Sequence, residues 1–109
     1  MTQQEIDAFL AIVEQGSVTG AAESLFLTQS TLSNRLRVLE EELGTQLFRR
    51  GRGQRRIELT EAGERFIPLA EKWRLLWRET ASFSAQQRLD FVAISSDNAY
   101  IMPQVLRRM

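Results

Sequence analysis

Neither cysteine nor histidine occurs in this chain of 109 residues. Without thiols there can be no disulfide framework and no thiolate metal site, and a cytoplasmic address is expected. Without imidazole the commonest general base and the commonest metal ligand are both missing. The sequence also lacks a phosphate-cradling glycine loop and a cluster of carboxylates on converging elements. Glu40, Glu41 and Glu42 are consecutive, so on a helix they point in different directions. These absences argue against an enzyme, and no catalytic residue, metal ligand or cofactor is assigned. The start, MTQQEIDAFL, has neither the charged opening nor the apolar core of a signal peptide. No apolar run approaches the roughly 20 residues of a membrane span, so no membrane partner is expected. Net charge is absent too, because 14 Lys and Arg balance 14 Asp and Glu.

The charges that are present are sorted along the chain. Residues 1 to 34 carry four acids and no Lys or Arg, whereas residues 35 to 56 carry seven arginines against three glutamates. A local cationic excess beside a polar helix face is an electrostatic footprint for a polyanion, whatever the sum over the chain. Thr2 with Glu5 three residues on gives the capping-box start of a first helix, whose apolar residues Ile6, Phe9, Leu10 and Val13 recur at helical spacing until Gly16 stops it. A second short helix is expected from about Thr19, offering Ala21, Ala22 and Leu25 to a core. Thr28 can then cap a third helix. Two helices joined by a short turn form a helix-turn-helix, here placed at residues 18–37. In the third helix Leu32, Leu36, Leu39 and Leu43 make one inward stripe, with Gly44 as the C-terminal stop. Ser30, Ser33, Asn34 and Arg37 then lie opposite, and the N-terminal end, with free amides and the positive end of the helix dipole, suits a phosphate. The glutamates at positions 40 to 42 repel phosphate, so only the first turns can enter a groove.

Leu47 and Phe48 are followed by RRGRGQRR and then by Ile57 and Leu59 in strand-like alternation. This reads as a two-stranded wing over residues 47–59, whose arginines straddle a phosphate backbone or reach into a minor groove. At this point the chain resembles the LysR-type family of bacterial transcriptional regulators. The resemblance is carried by Phe9, Gly16-Ser17, Ala21-Ala22, Leu25, Thr28-Gln29, Ser33, Leu39-Glu40, Leu43-Gly44, Leu47-Phe48, Arg50 and Leu59-Thr60-Glu61-Ala62-Gly63. It implies a winged helix-turn-helix, a long linker helix that dimerises, and a larger C-terminal effector-binding domain. Ser30 and Asn34 stand where many relatives have proline and arginine, and the wing is about two residues longer and richer in arginine than the commonest form.

From Glu61 to residue 88 the pattern predicts one long helix capped by Thr60. Ala62, Phe66, Leu69, Trp73, Leu76, Thr80 and Phe83 alternate steps of four and three, a seam by which helices pair, and Ile67, Ala70 and Trp77 widen it. Pro68 inside the pattern removes one backbone donor, so a bend is expected there. Residues 89–109 read as an apolar strand, Leu89 to Ile94, a polar turn and a helix entry, the expected start of an effector domain. A small-molecule effector is expected only where that domain is present.

The fold class expected is therefore mainly α, with three helices and a two-stranded wing over residues 1–60, followed by the dimerisation helix over 61–88. The expected partner is a double-stranded DNA operator, bound by a homodimer, with higher oligomers left open for an intact protein. The DNA-binding residues expected are Thr28, Gln29, Ser30, Thr31, Ser33, Asn34, Arg37, Arg50, Arg52, Arg55 and Arg56. The dimerisation residues expected are Phe66, Leu69, Trp73, Leu76, Trp77 and Phe83. The competing reading is a winged helix repurposed for protein or RNA binding.

Overall fold

A computed structural model of the chain describes residues 1–49 and 57–97, with side chains described through residue 89. Four helices and one small sheet follow in the order α1 (Gln3–Gln15), α2 (Val18–Ser24), α3 (Gln29–Leu43), β1 (Phe48–Arg49), β2 (Glu58–Leu59) and α4 (Glu61–Asp97). The chain divides into two units, Met1–Leu75 and Leu76–Met109. Each of the first three helices starts on a hydroxyl cap. Thr2 accepts from the Glu5 amide, Ser17 from the Gly20 amide, and Thr28 from the Thr31 amide at 3.2 Å. Ser17, rather than a residue nearer Thr19, is the cap of α2, so that helix begins at Val18, slightly earlier than expected. Gly16 and Gly44 end α1 and α3 in the left-handed conformation, which costs glycine little because it has no Cβ.

The core of the first unit is built from one stripe of each helix. Ile6, Phe9, Leu10 and Ile12 of α1 meet Ala21 and Ala22 of α2 and Leu32, Leu36 and Leu39 of α3, all buried. The two alanines are small enough to let neighbouring helices approach closely. Leu47 and Phe48 close the core from the side of the sheet. That sheet is a single antiparallel pair with Phe48 opposite Leu59 and Arg49 opposite Glu58, as expected for the stem of a wing. The Ile57 amide, donating to the Gly16 carbonyl, ties its return strand to the corner between α1 and α2.

The start of α4 belongs to this core. Phe9 stacks edge-on with Phe66 at a centroid distance of 5.2 Å and lies tilted against Phe48 at 5.4 Å. Phe66 and Ala70 are buried, and Arg74 pairs with Glu14 of α1 at 3.0 Å. Phe66 was expected on the dimerisation seam; instead it is buried against Phe9, because it lies with Ala70 on the face of α4 that packs on the core. The seam residues that are exposed begin later, with Leu69, Trp73, Leu76 and Phe83.

Pro68 lies inside a continuous α4, whose neighbouring turns carry the packing of Phe66 and Ala70. The helix also runs on through residues 89–94, where a strand was expected, and is described as far as Asp97, past the residue 88 expected as its end. A strand there would need a neighbour to satisfy its amides and carbonyls. A helix satisfies them within the segment itself.

Candidate nucleic-acid interface

Leu32, Leu36 and Leu39 point α3 into the core, so at 100° per residue the row Ser30, Asn34, Arg37 and Glu41 lies on the opposite, exposed side. Gln29 and Ser33 form a second row beside it, with Ser33 half-buried. Of the four residues expected opposite the leucines, Ser30, Asn34 and Arg37 are exposed on one row, whereas Ser33 is half-buried at its margin. What the structure adds is how the side chains are tied to one another.

At the N-terminal end the Thr28 hydroxyl donates to Thr31 Oγ1 at 2.8 Å while accepting from the Thr31 amide, and it lies 3.3 Å from the Ser30 hydroxyl. Three hydroxyls thus cluster around the first turn. The amides of Gln29 and Ser30 precede the Thr31 amide, the one that the Thr28 cap engages. They point outward at the positive end of the helix dipole, an arrangement that receives an anionic oxygen. The Gln29 side-chain Nε2 donates to Thr19 Oγ1 at 3.0 Å, joining the two helices of the helix-turn-helix. Thr19 was not among the expected site residues. It is ten residues from Gln29 in sequence, so only the turn between α2 and α3 brings them together.

Farther along, Arg37 reaches both ways along its own row. One terminal nitrogen donates to Asn34 Oδ1 and the other to Glu41 Oε1, each at 2.6 Å. The pairing of Arg37 with Glu41 was readable from their spacing of four. It takes Glu41 out of the set of phosphate-repelling acids expected at this end of the helix. Glu40 leaves that set too, because it is buried and accepts from the Leu47 amide at 2.6 Å and the Phe48 amide at 3.4 Å. Its position one turn beyond Leu36, on the inward stripe, was the signal. Glu42 pairs with the N-terminal ammonium of Met1. The hydrogen bond from that ammonium holds the Glu42 carboxyl below its usual range, and the same bond raises the amine.

The stem of the wing is anchored from both sides, by Glu40 on β1 and by the Thr60 hydroxyl, which donates to the Gln46 carbonyl at 2.6 Å. Arg49 and Glu58 face each other across it, both exposed. Arg50, Arg52, Arg55 and Arg56, the expected wing contacts, lie outside the described residues.

Residues 3–64 match the family described as bacterial regulatory helix-turn-helix protein, lysR family. The chain is 40% identical over 108 residues to the HTH-type transcriptional regulator HdfR of Yersinia enterocolitica, a match covering 94% of this chain and 36% of that relative. It therefore spans about a third of the length of the curated relatives it matches. Among solved structures, the CbnR DNA-binding domain in complex with DNA is 30% identical with a TM-score of 0.73, over 81% of this chain and 99% of that one. The BenM DNA-binding domain on benA site 1 DNA is 37% identical with a TM-score of 0.65, over 82% and 99% respectively.

Proposed function

Because the chain belongs to the LysR family of bacterial regulatory helix-turn-helix proteins, we propose that it is the operator-binding part of a cytoplasmic transcriptional regulator and acts as a homodimer. The observation that carries this reading is the exposed polar row on α3, with an open, hydroxyl-rich N-terminus and a wing stem rigidly joined to the same helix by Glu40. In this reading α3 enters the major groove by its first turns. Thr28, Ser30 and Thr31 meet phosphate, while Gln29, Ser33, Asn34 and Arg37 face base edges. Arg50, Arg52, Arg55 and Arg56 lie along the flanking backbone or minor groove. The CbnR and BenM domains are similar in fold and were solved on DNA, which supports the same docking here.

Dimerisation is assigned to the exposed part of the α4 seam. In the first unit Leu69 and Trp73 are each more than two-fifths exposed, apolar side chains that a second copy would cover; in the second unit Leu76 and Phe83 are likewise exposed. Phe66 contributes from beneath, through its packing on Phe9, rather than at the interface.

The test is a titration of labelled duplex DNA against salt. Log affinity should fall linearly with log salt, and each of Arg50→Ala, Arg52→Ala, Arg55→Ala and Arg56→Ala should flatten the slope by roughly 1 while weakening all sequences alike. Preferential binding of a folded RNA or an acidic protein over every duplex would favour the competing reading of a repurposed winged helix.

A further inference from the structure

Resting on the DNA-binding reading above, we propose that the chain Glu41, Arg37 and Asn34 makes the middle of α3 a reader of guanine rather than adenine. An asparagine on a recognition helix ordinarily favours adenine, because its amide offers one acceptor to N6–H and one donor to N7. Here that acceptor is engaged. Arg37 donates to Asn34 Oδ1 at 2.6 Å, and a guanidinium has no acceptor with which to receive a bond from the amide nitrogen, so the oxygen is the atom held inward along the row. Glu41 grips the other terminal nitrogen of Arg37 at 2.6 Å and fixes the guanidinium in that direction.

The consequence is a donor-rich surface. Among the described residues no hydrogen bond uses either N–H group of the Asn34 amide. Arg37 commits one nitrogen to each neighbour and still presents further N–H groups. An approaching adenine would have to bring its N6–H donor beside the guanidinium, to the one lone pair that Arg37 leaves on an oxygen turned along the row. Guanine presents two acceptors, N7 and O6, on the same edge, and it meets donors from either side chain. Glu41 does not cancel this preference, because it lies one turn farther from the end of α3 that enters the groove, and one of its oxygens is taken up by Arg37. The three residues are surface side chains on one helix row, so their replacement leaves the core stripe untouched.

The experiment selects bound sites from a random duplex pool with the 109-residue chain, then with Arg37→Met and Glu41→Gln. The unaltered chain should enrich guanine at one position in each half-site, and placing 7-deazaguanine there should weaken binding roughly 5- to 100-fold, the discrimination expected of a good base contact. Arg37→Met frees Asn34 Oδ1, so the preference at that position should move to adenine. Glu41→Gln should soften it in the same direction. A uniform loss of affinity with unchanged preference would make Arg37 a phosphate contact and overturn the inference. Loss of guanine without gain of adenine would mean that Arg37 reads the base alone, and would equally overturn it. Absence of any site-selective duplex binding by the unaltered chain would defeat the DNA-binding reading and this inference together, whereas selective binding indifferent to guanine defeats only the latter.

Discussion

A Cβ built on Gly63 would stand 2.1 Å from the Leu47 carbonyl oxygen and 2.8 Å from a methyl of Leu59. Both neighbours are held. Leu47 is buried and its carbonyl accepts from the Thr60 amide, so the backbone there cannot retreat without opening the joint between the sheet and α4. In an ordinary helix interior the change from glycine to alanine stabilises by about 1 kcal/mol. Here the sign should reverse. Gly63→Ala is expected to destabilise by about 1 to 3 kcal/mol, the usual range for overpacking, and a thermal melt should show a fall of several degrees. A rise in the midpoint would mean that the first turn of α4 is free to move off Leu47. In the sequence this glycine was visible only as part of a resemblance. Its physical reason, a close crossing of backbones between residues 16 apart, exists only in three dimensions.

At the scale of elements, the contact that bears on the proposed docking is the one between α3 and the stem of the wing. Glu40 reads in the sequence as one of three consecutive surface acids, yet its carboxylate receives the Leu47 and Phe48 amides inside the protein. The inward stripe of leucines was legible because apolar spacing reports a helix face directly. The carboxylate of Glu40 on that same face was legible only as a position one turn beyond Leu36; its partners are backbone groups that no side-chain pattern reveals. Glu40→Ala should leave the Leu47 amide buried without an acceptor and cost about 1 to 3 kcal/mol. Hydrogen exchange provides the specific readout: amides Leu47 and Phe48 should lose protection before the helical amides of α1 do. Unchanged protection at those two positions would remove Glu40 as the link between recognition helix and wing. The run from Leu89 to Ile94 illustrates the opposite difficulty. A short apolar segment fits a buried strand or a helix equally by periodicity, and here, with no strand beside it among the described residues, it is helical.

For the whole molecule the decisive question raised by the proposed homodimer is which face of α4 a second copy would meet. The heptad spacing was legible over its full length, but spacing cannot say where a helix stops packing on its own domain and starts offering itself to another. Phe66 and Ala70 face inward, whereas Leu69 is 51% and Trp73 43% exposed, so the handover falls within about one turn. Trp73→Asp puts a charge on the exposed side of that boundary, beyond the Phe9, Phe48 and Phe66 cluster that holds α4 to the core. Sedimentation should find the variant monomeric, and circular dichroism should find its helices and melting cooperativity retained. Binding should separate the two effects further. A duplex with two half-sites presents both recognition helices of a dimer with targets, so its affinity should collapse toward that for a single half-site, which the variant should bind as the unaltered monomer does. If Trp73→Asp instead unfolds the chain, the exposed seam is part of the core. If it stays dimeric, the pairing surface lies elsewhere on the molecule.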